Sequence, residues 1–251
     1  MEPLWQENFD FYEAKAKTGR AIVALDLAAR EHAPVASHPV RLQFRVKMQH
    51  ARTDGLRSAE ESEALFALED RLVEAVRTKL EGLYVARAVA YGYTEFFFYV
   101  PLAHRATDAS VLPDAGEYQL EWFAEDDAEW ARYGELFPDR WSLQTIFNRR
   151  IVAQMQEAGD QLDVPRQVDH VAFFPSRLQA TAAAEALRGA DFQVDEPEAP
   201  EKSDEPWMLE FHRDDHCADG EPDEFVAEVL ELIEPHEGDY DGWGAPVVRP
   251  S

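Results

Sequence analysis

Residues 84–100 read YVARAVAYGYTEFFFYV, two arms rich in β-branched and aromatic side chains around a glycine. The arms, 84–91 and 94–100, flank Gly92-Tyr93, and a glycine-bearing link this short predicts a tight antiparallel hairpin. The second arm is apolar almost throughout. A strand with one wet face would alternate, so this arm is expected at the centre of a sheet, covered on both faces.

Working outward, Ala59–Leu80 precedes the hairpin and carries Leu65, Leu68, Leu72, Val76 and Leu80 at helical spacing. Ser58 with Glu61 three positions on has the spacing of a capping box, and Gly82 ends the helix. Further upstream, 21–28 and 40–48 read as strands joined by the proline-marked EHAPVASHP. Downstream, 118–124 reads as another strand and 127–136 as a short helix before Pro138. The first domain, residues 1–140, is therefore expected to be a mostly antiparallel sheet with helices on one face.

The rest of the chain, 141–251, repeats the theme with a different order. Helical spacing marks 142–158, a strand Arg166–Phe174, a helix 177–188, short strands 191–194 and 207–211, and a last helix 221–234. An open-faced sheet covered by helices follows, with a ferredoxin-like arrangement expected. The fold class is α+β in two tandem domains.

Composition supports packed cores, with 45% hydrophobic and 12% aromatic residues in 251. Lys and Arg number 24 against 50 Asp and Glu, a formal charge of −26. That field repels phosphate backbones and argues against direct nucleic-acid binding, while favouring basic protein surfaces. The excess is uneven: residues 141–251 hold 8 basic and 25 acidic side chains, a net of −17. One cysteine excludes an internal disulfide. No apolar run approaches the length of a membrane span, the first residues lack a secretory pattern, and the cytoplasm is the expected compartment.

Five places invite a functional reading. Tyr240, Asp241 and Trp243 lie in YDGWG, where glycines permit a tight turn and two amphipathic rings suit an interface; the competing reading folds Trp243 back onto the domain's own core. Glu196, Glu198 and Glu201 sit in DEPEAPEKSDE, a solvated loop or a lure for a basic partner. His50, Arg52 and Asp54 precede the first helix, where an anion could be held; the alternative is a turn in which Arg52 pairs with Glu60, Glu61 or Asp70. His212, Asp214, Asp215, His216 and Cys217 resemble a metal set by composition but lack a second ligand pair at conventional spacing and read as a loop; no metal or cofactor is expected. His170 lies inside a strand and either titrates near neutrality or is hydrogen-bonded on the sheet face. No GxSxG, P-loop, GxGxxG or HExxH motif is present.

The stretch EGDYDGWGA, 237–245, resembles the Tyr-Asp-Gly-Trp-Gly signature of the RraB family, regulators of ribonuclease activity B, and EAGDQLDVPR and VDHVAFF resemble stretches upstream of it. The likeness spans about 145–248. It implies an inhibitory protein, built on a ferredoxin-like fold, that binds ribonuclease E and alters RNA turnover. Trp5, Phe11-Tyr12, RTDGL at 52–56 and the 84–100 hairpin resemble a bacterial domain of unknown function often fused to RraB-like modules. Together these predict an acidic regulator occupying a ribonuclease's basic RNA-binding surface, the alternative being an anionic-metabolite binder or enzyme at Arg52.

Overall fold

Tyr91 and Gly92 make the hairpin turn, one position before the expected pair. Both take left-handed backbone, φ 54° and 80°, the combination whose twist matches the flanking strands. The arms are β4 (Leu83–Ala90) and β5 (Tyr93–Val100). The computed structural model describes residues 4–16, 19–107, 112–202, 205–218 and 220–249. Its contacts divide the chain into two units, Met1–Ser142 and Leu143–Ser251.

In the first unit, β5 is central, as its unbroken apolar run requires. The other strands are β1 (Phe9–Ala16), β2 (Gly19–Asp26), β3 (Val40–Lys47) and β6 (Leu120–Asp126). The sheet order is β1-β2-β4-β5-β3-β6, antiparallel throughout. β1 was not legible in the sequence; pairing along its whole length with β2 creates it. Helix α1 (Ala59–Leu80) begins where Ser58 accepts from the Glu61 amide. Its Leu65, Leu68, Leu72 and Val76 bury against Leu42, Phe44, Phe96 and Phe98.

Over the opposite face lies α2 (Ala131–Leu136). It starts four residues later than expected, because Trp130 takes a left-handed φ of 55° and Asp127 serves as the cap. The Asp127 carboxylate accepts from the amides of Ala131 and Arg132 and from the Tyr99 hydroxyl at 2.6 Å. Trp130 stacks on Tyr99 with ring centroids 4.0 Å apart.

The second unit contains most of α3 (Arg140–Glu157), then β7 (Arg166–Phe174), α4 (Arg177–Gly189), β8 (Gln193–Val194), β9 (Trp207–Asp215), α5 (Glu221–Ile233) and β10 (Asp239–Gly244). The sheet order is β10-β7-β9-β8, with all neighbours antiparallel. From β7 onward this is strand-helix-strand-strand-helix-strand with the last strand beside the first, the ferredoxin-like arrangement. Two corrections stand. Residues 239–244 are the closing edge strand rather than a loop. β9 runs to Asp215, four residues past the expected end, because it pairs with all of β7.

Alternation assigns the faces. Val168, His170, Ala172 and Phe174 of β7 join Leu209 and Phe211 of β9 beneath α4 and α5, in a core that also takes Met155 of α3. Gln167, Asp169, Val171 and Phe173, with Met208, Glu210, His212 and Asp214, turn the other way. Among the described residues of this unit, no helix covers that second face.

Candidate functional site

The C-terminal signature is built around its two rings, and both point inward. Tyr240 is 4% and Trp243 8% exposed. Tyr240 pairs with Ala172 and Trp243 with His170; between them Gly242, at φ 142°, accommodates the irregularity that leaves Asp241 bulged and exposed. The Tyr240 hydroxyl lies 2.8 Å from His170 Nδ1. Burial pushes the phenol's pKa up. Trp243 meets Phe225 edge-on and donates its indole N–H to Asn148 of α3. Gly238 is compact for a steric reason: a Cβ there would stand 2.7 Å from Phe174 Cε1 and 2.9 Å from Ile233 Cβ. Of the three signature residues read as candidate contacts, the structure leaves only Asp241 on the surface.

His170 is fully buried, stacked on Phe211 and met edge-on by Phe192 and Phe225. Burial, then the charges of Arg213 and His212, push its pKa down to about 3. Burial favours the neutral ring, and its Nδ1 is hydrogen-bonded to Tyr240, so the geometry supports the hydrogen-bonded reading over one in which it titrates near neutrality.

Glu196, Glu198 and Glu201 all lie exposed between β8 and β9. Glu198 forms an antiparallel bridge to Met208 through both backbone bonds, which anchors the middle of that loop to the sheet edge.

At the turn before α1, Arg52 pairs with Asp54 at 2.7 Å, and Asp54 also accepts from the Leu56 amide. Glu61, offered as an Arg52 partner, instead accepts the backbone amides of Gln49 and His50. His50, Arg52 and Asp54 are all exposed, and the arginine's charge is met within its own turn. The half-buried arginine nearby is Arg57, which the sequence reading did not single out. It lies over Phe66, 4.6 Å from the centroid, and its pKa is pulled down to about 10 by burial and by Arg87.

The metal-like set is dispersed. His212 and Asp214 belong to a strand and turn to its open side; Asp215 pairs with Arg213 at 3.0 Å. His216 Nδ1 lies 2.8 Å from the Asp163 carbonyl, and Cys217 is buried, its thiol pKa raised by burial. Among the described residues no group of three or more His, Cys, Asp or Glu is placed to hold a metal. No described helix is long and apolar enough to cross a membrane.

Two family models match the chain. "Regulator of ribonuclease activity B" (RraB) matches residues 145–245, and "Family of unknown function (DUF695)" matches 7–137. A search of curated proteins found no match. A crystal structure of an unknown protein from Galdieria sulphuraria aligns over 83% of this chain and 99% of its own at 11% identity, with a TM-score of 0.22.

Proposed function

Because the chain belongs to the DUF695 family and its second half matches the RraB family, we propose that it regulates a ribonuclease by binding it, without catalysing a reaction itself. The observation that carries this reading is the match over residues 145–245, which spans the whole ferredoxin-like sheet and its two helices. The charge distribution supports a mode of action. An enzyme that holds RNA presents Lys and Arg to phosphates, and a domain with a net of −17 competes for the same surface. The expected target is ribonuclease E-like, inhibited by occlusion of its RNA-binding surface, with the cytoplasm as the site of action.

The test is direct. The full chain is mixed with ribonuclease E of its own host at low and at physiological salt, and both association and RNA cleavage are followed. Binding that weakens steeply with salt, together with slower cleavage, is the expected result. No association at low salt would remove the reading.

A further inference from the structure

We infer that the helix-free face of the β10-β7-β9-β8 sheet is the docking surface, and that its occupant is the basic RNA-binding surface of the ribonuclease. The inference rests on the regulatory reading above and adds where the contact is made.

Cross-strand register places the relevant side chains together. Asp169 stands opposite His212, Val171 opposite Glu210, Phe173 opposite Met208 and Gln167 opposite Asp214. Asp239 of β10 pairs with Phe173, and Glu198 bridges to Met208. Asp169, Glu210, Asp214, Asp239 and Glu198 are all exposed. None of the outward positions of β7 and β9 holds a lysine or arginine. The cations beside them are engaged elsewhere: Arg213 turns to the helical side, where it pairs with Glu228, and Arg166 is buried on Asp160.

Phe173 and Met208, one position from the end of the β7-β9 ladder, lie across the strands between Asp239 and Glu198, with Val171 next along β7 on the same face; all three are half-buried. Apolar side chains flanked by polar and charged ones are a feature of protein–protein interfaces. Here three half-buried apolar side chains stand among carboxylates on a face that no described helix of this unit covers. Rows of carboxylates on a rigid sheet present negative charge as phosphates do. Charge complementarity therefore selects a surface of Arg and Lys that ordinarily holds RNA. The signature rings take part from behind, since from the core side Tyr240 holds β10 to His170 of β7 and Trp243 holds it to Asn148 of α3.

The experiment compares two full-length variants of equal charge change. In the face variant Asp169→Asn, Glu210→Gln and Asp214→Asn are combined. In the helix variant Glu185→Gln, Glu224→Gln and Glu231→Gln remove three exposed carboxylates from α4 and α5. Affinity for ribonuclease E should fall about tenfold or more in the first and less than threefold in the second. Equal losses, or no loss in the face variant, would overturn the docking surface while leaving the regulatory reading intact. An unmodified chain that fails to bind at low salt overturns both. Carbodiimide labelling of the unmodified complex gives an answer independent of mutant folding: Asp169 and Glu210 should be protected relative to Glu185 and Glu231, and equal labelling would count against the face. Short single-stranded RNA should displace the chain. A stable ternary complex would refute the assigned occupant.

Discussion

The indole N–H of Trp243 donates to Asn148 Oδ1 at 2.8 Å, joining the closing edge strand to a helix that precedes the whole sheet in sequence. Asn148 also donates to the Pro222 carbonyl at 3.2 Å and to Asp223 at 2.7 Å, so one amide ties α3, the start of α5 and β10 together. Asn148→Ala should then strand the indole N–H and the Pro222 carbonyl in the interior and cost about 2–3 kcal/mol. Trp243→Phe, which gives up the hydrogen bond and part of the indole's packing against Phe225, should cost about 2–4 kcal/mol. Urea denaturation of each variant decides the matter. A loss under about 0.5 kcal/mol in both would mean that the joint is dispensable.

Gly238 should tolerate no side chain, although its backbone is not left-handed. The clash of an added Cβ with Phe174 and Ile233 involves a core ring and a helix-end residue with no room to retreat. Gly238→Ala is expected to destabilise by about 1–3 kcal/mol. Gly244→Ala, where nothing lies within 4 Å of the new atom, should change stability by less than about 0.5 kcal/mol. Thermal melts of the two variants, run side by side, would expose an error if they shifted alike.

Arg166 is held on several sides at once. Its guanidinium contacts Asp160 through both carboxylate oxygens, and the carbonyls of Val164, Gln161 and Pro246 accept from it. The two side chains are 4% and 0% exposed. Arg166→Met leaves a carboxylate buried without its charge partner and should cost about 3–5 kcal/mol. Asp160→Asn removes the need for that partner, so the double variant should be less destabilised than the sum of the singles by more than about 1 kcal/mol. Simple additivity in the double-mutant cycle would show that the pair is not coupled.

What was legible in the sequence was periodicity, and what was not was pairing. Leu65 to Leu80 and the Ser58 cap gave α1 to the residue, because an amphipathic helix declares itself locally. The FFFYV run placed β5 at the sheet centre for the same reason. β1 and β10 escaped because each is made a strand by its neighbour: FDFYEAKA and DYDGWG have weak local preference, and Gly242 disguises the second as a turn. That one omission hid the meaning of Tyr240 and Trp243, whose rings read as surface anchors in a loop and as core residues in an edge strand. The early end expected for β9 hid the acidic face. Alternation along VDHVAFF puts Asp169, Val171 and Phe173 on one side of β7, but a β9 that ends at Phe211 leaves His212 and Asp214 in a loop.

The same buried histidine makes the second unit acid-sensitive. His170 has an ordinary pKa of 6.5 and a folded value of about 3, lowered by burial and by Arg213 and His212. The groups it faces are the Tyr240 hydroxyl, which holds Nδ1, and the rings of Phe211, Phe192 and Phe225; no carboxylate meets it in that set. Above pH 6.5 both folded and unfolded chains hold it neutral, and it contributes no pH dependence. Between 6.5 and 3 the unfolded chain takes up a proton that the fold refuses, so stability falls as pH falls, by roughly 1.4 kcal/mol per unit. Below 3 both states are protonated and the loss stops growing. Titrating carboxylates add their own slopes, so the measurement is a difference: unfolding free energies of the unmodified chain and of His170→Gln, taken from pH 7 to pH 4. The variant's curve should be flatter by about one proton over pH 6 to 4. Parallel curves would show that His170 is protonated as readily inside the fold as outside it.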